Sequence, residues 1–376
     1  MKKSVWYCWV VFAFIIVGSG TSVLARTWDQ YNVLFSVLNK NSRKGYIKQS
    51  VDGGETWNTV WDAGLHARTR ENRLTDIAYG DGTLVAVGNT ILSSNDGGET
   101  WKETVLKNYE REQMFSSGKP LKAVVFGDGL FVVVGPNHVL YSADGFNWKY
   151  VRFGKLSEEE EQRKKAKIKG EYPPDITKNL MFPLDVVYVN GLFWVTGGSR
   201  DCVVASYSMS GDKLVLDKKI KLSKQYGEFA KLVSGGLKST AFDGRTNIVS
   251  FTNSDRYAYS SDLGVTWNFA YTPEQTIGAA IVFANETWVA ASKFSKIYFT
   301  NDISGGWFKS DYEGIESSVN NLVFVNDSYF LAANDGIILR SFDGKSWEII
   351  YQGEKNYDVR AIAGMEITVG AYKRKE

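Results

Sequence analysis

Ser50-Val51-Asp52-Gly53-Gly54-Glu55-Thr56-Trp57 decides the fold, because the chain repeats it. It returns as Ser94-Asn95-Asp96-Gly97-Gly98-Glu99-Thr100-Trp101 and as Ser260-Ser261-Asp262-Leu263-Gly264-Val265-Thr266-Trp267. A form one residue shorter stands at Ser142-Ala143-Asp144-Gly145-Phe146-Asn147-Trp148 and at Ser341-Phe342-Asp343-Gly344-Lys345-Ser346-Trp347. A looser copy runs from Thr300 through Asp302 to Trp307. A fixed period of this length marks a repeat architecture. The intervals between aspartates are 44 (52 to 96), 48 (96 to 144), 118 (144 to 262), 40 (262 to 302) and 41 (302 to 343). The long interval holds about two units plus an insertion, and a worn copy is expected between Ser206 and Leu216, around Gly211-Asp212.

A second pattern alternates with the first. Apolar runs flank tight turns at Tyr79-Gly80-Asp81-Gly82, Phe126 to Gly129, Tyr188 to Gly191, Phe242 to Gly244, Phe283 to Asn285 and Phe324 to Asn326. Gly, Asn and Asp are the residues that hairpin turns with positive φ require. A seventh, weaker hairpin is expected from Val359 to Gly364 and Ile367 to Lys373. Seven inner hairpins and seven outer ones predict an all-β chain, a seven-bladed β-propeller of four-stranded antiparallel blades. The first outer hairpin precedes any inner one, and the last inner hairpin has no outer one after it. The N- and C-terminal strands are therefore expected to share one blade, residues 359–373 pairing with the N-terminal outer hairpin and protecting edges an open array would expose. Asn32 to Asn39 also reads as a strand and competes with Ile367 to Lys373 for the second place in that blade.

The repeated motif resembles the Asp-box, or bacterial neuraminidase repeat. That resemblance implies a structural role for Asp52, Asp96, Asp144, Asp262, Asp302 and Asp343, with Trp57, Trp101, Trp148, Trp267, Trp307 and Trp347 covering their hairpins. One carboxylate per loop is too few for Ca²⁺, which wants six to eight oxygens, so no metal is assigned to the boxes. The resemblance also implies that a ligand face lies opposite the box turns.

Residues 1–25 read as a secretory signal peptide. Lys2 and Lys3 precede an apolar run from Val5 to Val17, which is short for a membrane span, and Val23-Leu24-Ala25 offers a cut site. Residues 26–376 would then form a single propeller domain. The whole chain carries 44 Lys+Arg against 42 Asp+Glu; without Lys2 and Lys3 the formal charge is zero. That balance argues against a whole-surface binder of nucleic acid or anionic membrane. Of two cysteines, Cys8 lies in the signal, and Cys202, within an apolar strand, is expected to be a small buried hydrophobe.

Three connections are long: Asp62 to Arg73, Lys107 to Lys119 and Arg152 to Met181. The last contains a charged helical insertion near 156–170. Ser157 and Glu160 fit a capping box, and Glu159–Arg163, Glu160–Lys164 and Glu161–Lys165 fall at helical spacing before Gly170 and Pro173-Pro174. Its lack of an apolar face reads as a solvated excursion.

Sialidases are the best-known owners of the box, and this chain departs from them. None of its six prolines follows Arg-Ile, seven sheets are expected rather than six, and the nucleophilic Tyr–Glu pair cannot be assigned. A glycoside hydrolase or sialidase-related enzyme would need paired carboxylates at the pore mouth, where Asp185, Asp201 and Asp255 are the candidates. His66 and His138, the only imidazoles, stand in no catalytic-looking motif, and a loop position on the surface is expected for such residues. Seven-sheet box proteins of this length resemble the photosystem II assembly factor and its bacterial relatives, which implies a secreted, non-catalytic, monomeric protein that binds a protein or glycan. No catalytic residue and no cofactor is assigned.

Alignment of the innermost strands on their turn aromatics puts Thr75, Lys122, Leu184, Lys238, Ala279, Asn320 and Arg360 at one level near the pore mouth. Three are basic and none is acidic. Neighbouring connections add Arg68, Arg70, Arg73, Arg200 and Arg256. The binding set expected from sequence is thus Arg68, Arg70, Arg73, Lys122, Arg200, Lys238, Arg256 and Arg360, suited to an acidic segment or glycan. Asp185, Asp201 and Asp255 could neutralise part of it. Asn285-Glu286-Thr287 and Asn326-Asp327-Ser328 match glycosylation acceptors, but both asparagines sit in turns that want Asn anyway.

Overall fold

In the computed structural model, residues 33–365 are described apart from 42–43, 65–72, 105–119, 136–137, 154–182, 199–201, 223–235, 253, 276–277, 294–295, 305 and 313–315. Residues 1–25, expected as a leader, and 156–170, expected as a charged insertion, lie outside the described residues. Seven four-stranded antiparallel sheets follow one another along the chain. Their first strands are Tyr357–Gly364, Leu74–Gly80, Ala123–Gly127, Pro183–Val189, Leu237–Phe242, Gly278–Ala284 and Val319–Val325. Each touches the next, and the last touches the first, so the sheets form a closed ring.

Ring closure is made in the first sheet, whose strands come from both ends of the chain. Tyr357–Gly364 pairs with Leu34–Lys40, which pairs in turn with Lys44–Ser50 and then Asn58–Asp62. The N-terminal chain therefore fills the second place, and the C-terminal chain supplies one inner strand rather than a hairpin pairing with Lys44–Asp62. The reason is register: Leu34–Lys40 aligns along both neighbours, and Leu34, Phe35, Val37 and Leu38 are all buried. Residues 367–373 lie outside the described residues.

The hairpin turns adopt the conformations their residues predicted. Asp81 and Gly82, Asn190 and Gly191, and Asn285 and Glu286 all have positive φ. Where the worn copy was expected, strands Val203–Ser210 and Lys213–Lys221 form a hairpin around Gly211-Asp212, and Asp212 pairs with Lys149 Nζ of the preceding sheet at 2.8 Å. Cys202 is buried against Trp194 and Leu237. His138, expected on a surface loop, instead begins strand His138–Ser142 and is buried with its ring edge-on to Tyr150.

The repeated turns, expected as Asp boxes, are held by their own bonds and pack against neighbouring sheets. In the first, Gly54 N donates to Ser50 Oγ at 2.8 Å, and Thr56 N and Oγ1 donate to the Asp52 carboxylate at 2.9 and 2.5 Å. Trp57 Nε1 then donates to Gly54 O at 2.8 Å. The same tryptophan-to-glycine bond recurs at Trp101, Trp148, Trp267 and Trp347; Trp307 instead donates to Tyr257 Oη of the preceding sheet. Gly98 shows why the second glycine is required. Its φ is +86°, and a Cβ there would lie 2.4 Å from the ring of Phe35 in the preceding sheet. These hydrogen bonds outweigh the desolvation that opposes them and hold the Asp52, Asp96 and Asp343 carboxyls below the usual range, with Asp144 near about 2.

Candidate functional site: a ring of bulges at one mouth

First and third strands of each sheet run the same way. The box turns, between third and fourth strands, therefore share a face with the inner hairpin turns. The opposite face carries the start of every first strand, and there all seven sheets do the same thing.

Each first strand carries a β-bulge near this end. The ladder steps from Leu74↔Gly88 to Asp76↔Val87, leaving Thr75 as the extra residue. Leu184, Lys238, Ala279, Asn320 and Arg360 are skipped in the same way. In the third sheet Lys122 N donates to Val134 O while Ala123 is Val134's register partner, again two residues against one. The seven bulged residues are the seven that the sequence aligned at one level. A bulge re-aims a side chain out of the alternation of the strand. All seven are half-buried, directly after a buried residue.

Two further rows of bonds stitch this level together. Thr75 Oγ1 reaches the Leu121 carbonyl of the next sheet at 2.8 Å, and Asn320 Nδ2 reaches that of Val359 at 2.7 Å. Both acceptors immediately precede the next sheet's bulged residue. One residue deeper, Asp76 accepts Ile77 N at 2.9 Å and Val124 N at 2.8 Å. Asp185 repeats this with Val186 N at 2.9 Å and Thr240 N at 2.6 Å. Both carboxyls rise to about 7, pushed up by burial against the pull of those N–H bonds, and Asp185 raises Asp76 further.

Asp185 thus stands one residue beyond the bulged Leu184. Each of its oxygens already accepts a backbone N–H, and its work is to bind the fourth sheet to the fifth. Asp255 stands before strand Arg256–Ser260, 3.8 Å from Arg256 Nε. Asp201 lies outside the described residues. Asp76, which sequence reasoning passed over, was legible only as the same Asp after a bulged residue.

The basic set divides. Arg360 Nη1 donates to Asn320 Oδ1 at 2.6 Å; burial pushes its guanidinium down, Asp358 opposes that, and neighbouring Arg73 adds to it. Burial lowers Lys238 as well, and Lys293 lowers it further. Lys293, from the turn after strand Thr287–Ser292, was missed because nothing in its local sequence points at the pore. Arg256 stands apart from the seven bulged residues. It lies on a third strand, about 10 Å from the first at the usual strand spacing, and packs 4.8 Å above the Tyr271 ring. Arg68, Arg70 and Arg200 lie outside the described residues. The mouth thus collects Lys122, Lys238 and Arg360, with Arg73 and Lys293 beside them.

No protein-family model matches the chain, and no curated protein does. Solved structures do. YCF48 from Cyanidioschyzon merolae is 17% identical with a TM-score of 0.54, covering 73% of this chain and 84% of that one. YCF48 bound to D1 peptide is 13% identical with a TM-score of 0.54, covering 83% and 94%. The computationally designed Ika8 protein is 12% identical with a TM-score of 0.51, covering 89% and 91%. At these identities the likeness shows the fold. Among the described residues no helix is long and apolar enough to cross a membrane.

Proposed function

We propose that this chain is a secreted, non-catalytic propeller that captures an acidic protein segment, or an acidic glycan, at the mouth ringed by the bulges. One observation carries this reading: of seven symmetry-related bulged side chains three are basic and none is acidic, although the chain as a whole is nearly neutral. Cations at a concave, partly desolvated rim suit carboxylates or phosphates better than they suit neutral partners. The YCF48 structure with a D1 peptide shows that a propeller of this shape can hold a protein segment. The two carboxylates one residue beyond bulged residues, Asp76 and Asp185, are engaged by backbone N–H groups, which supports binding over hydrolysis. We read the six tryptophan-capped turns as Asp boxes that serve as scaffold, and residues 1–25 as the export signal.

The test is capture from the extracytoplasmic fraction with the mature domain as bait, at low and at high salt. Turnover of chromogenic glycosides that vanished in Asp185→Asn would replace this reading with a hydrolase.

A further inference from the structure

The seam where the ring closes carries a second site, independent of the mouth. Between the first and seventh sheets lies a cleft of about 440 Å³, within the usual range for small-ligand pockets of about 300–1,000 Å³. Three tyrosines line it: Tyr46 from an outer strand of the first sheet, Tyr357 from its C-terminal strand and Tyr351 from the edge of the seventh. Tyr46 and Tyr357 stand 5.3 Å apart at 56°, and Trp57 backs Tyr351 at 6.3 Å. Lys44, Tyr46 and Lys48 alternate along Lys44–Ser50 and so share a face, while register sets Tyr357 beside Lys40 and Lys40 beside Lys44.

The cations are already at the rings. Lys48 Nζ lies 5.4 Å from the Tyr351 centroid and 6.0 Å from that of Tyr357, and donates to Tyr351 Oη at 3.0 Å. Lys40 stands 5.0 Å over Tyr357 and Lys44 4.9 Å over Tyr46. These ammonium groups already take the cation positions over the rings, which disfavours a cationic ligand. The three half-buried rings keep part of their surface exposed beside them, and Lys48 spends one of its three N–H groups on Tyr351. Thr59 and Gln352 add neutral polar groups, and Glu354 adds a carboxylate that acts on Lys40 and leaves Lys48, among the described residues, as the cation open to an anionic ligand's tighter contact.

We propose that this cleft binds a carboxylated sugar, a hexuronate ring stacked on the tyrosines with its carboxylate on Lys48. A pyranose offers apolar C–H faces to aromatic walls and hydroxyls to a polar rim, and the carboxylate takes the N–H groups Lys48 has left. An acidic peptide would satisfy Lys48 but would have no ring to lay against three tyrosines.

Calorimetric titration of the mature protein with glucuronate and galacturonate trisaccharides tests this, against their neutral hexose counterparts and a tri-glutamate peptide. One of the two uronates should bind at least tenfold more tightly than its neutral counterpart and raise the melting temperature, because the cleft joins both chain ends to the seventh sheet. Lys48→Met, which keeps the apolar stem, should cut that affinity at least tenfold, while loss of the bond to Tyr351 lowers the unliganded melting temperature by only about 2–4 °C. Tyr351→Phe should weaken it less. A Lys122→Ser/Lys238→Ser variant should bind the sugar normally, which separates this site from the mouth. Equal binding of neutral and acidic sugars, no binding of either uronate, indifference to Lys48→Met, or tighter binding of tri-glutamate would each overturn the assignment.

Discussion

Asn320 ties Arg360 into the ring. Its Oδ1 accepts Arg360 Nη1 at 2.6 Å, while its Nδ2 donates to Val359 O at 2.7 Å and to Asn334 Oδ1 at 2.8 Å. One amide thus holds both the cation and the backbone of the adjoining bulge, across the boundary that closes the propeller. Removing it leaves a half-buried guanidinium and a carbonyl without these partners. Asn320→Ala should destabilise the fold by about 2–3 kcal/mol, the range for hydrogen bonds to charged groups, measured by denaturant unfolding. Asn320→Asp keeps an acceptor for Arg360 but sets a second oxygen against Val359 O and Asn334 Oδ1, so it should cost about as much. A loss below about 0.5 kcal/mol in Asn320→Ala would show that this amide does not hold the boundary.

Leu263 is the box residue at odds with its conformation. It has φ +54° where Gly53 and Gly97 stand in the first two boxes at +75° and +72°, and its side chain is exposed. The left-handed region costs an L-residue roughly 1–2 kcal/mol, part of which glycine returns through its greater unfolded-state entropy. Leu263→Gly should therefore raise stability by about 0.5–1 kcal/mol. A fall in melting temperature would mean that Leu263 makes a contact outweighing its strain.

The carboxylates give stability two opposite pH dependences. Asp76 and Asp185 have folded values near about 7, above their unfolded values, so the folded chain holds protons that the unfolded chain has released. Their contribution is fully present below about pH 4 and is lost as pH rises toward 7. At about 1.4 kcal/mol per pKa unit, the loss is on the order of 2–4 kcal/mol for each group. The box carboxylates are depressed, so their contribution stands above the unfolded value and is lost as pH falls, toward about 2 for Asp144. Melting temperature should peak at pH 4–5 and fall toward pH 8. Asp76→Asn with Asp185→Asn should flatten the fall above pH 5; an unchanged slope would remove these two groups as its cause.

Why the repeat was legible and the stitching was not follows from how each is encoded. The box is a local structure: Ser50, Asp52, Gly54 and Trp57 bond within eight residues, so composition and spacing carry it. The bulge level was half legible. Equivalent positions could be counted back from the turn aromatics to Thr75 or Arg360, but a bulge is a relation between two strands, and no single strand announces it. The choice between 32–39 and 367–373 was open because both alternate; the match of Leu34–Lys40 to two partners at once settles it. The tyrosine cleft was invisible for a simpler reason. Lys48 and Tyr351 are 303 residues apart and meet only because the ring closes.

Closure itself can be tested by shortening the chain. Val359, Ala361, Ile362 and Ala363 are buried between the first sheet and its neighbours. Deleting Asp358 to Glu376 removes that strand, exposes the inner edge of Leu34–Lys40 and should abolish cooperative unfolding near the wild-type temperature. Ile362→Ala is the milder probe and should cost about 2–4 kcal/mol through the cavity it leaves. A truncated chain with an unchanged melting temperature would show that the ring does not depend on its C-terminal strand.

The mouth makes the last prediction, and the structure sharpens which residues should test it. Arg360 is a poor probe, because its guanidinium also holds Asn320, and its loss would confuse folding with binding. Lys122 and Lys238 are better placed: both are bulged residues at the rim, on different sheets, and half-buried. Lys122→Ser with Lys238→Ser should lower capture of an acidic partner at least tenfold, at about 1.4 kcal/mol per decade, with a small change in melting temperature. Arg68→Ser, Arg70→Ser and Arg73→Ser together should lower it less, and mainly at low salt. Long-range attraction fades beyond about 8 Å at physiological ionic strength, whereas direct contacts from a partly desolvated rim persist. Capture by the wild type should thus fall between 0.05 and about 0.5 M salt, most steeply at the low end. A partner held equally well by the double lysine variant, and at every salt concentration, would place its binding surface away from the bulge ring.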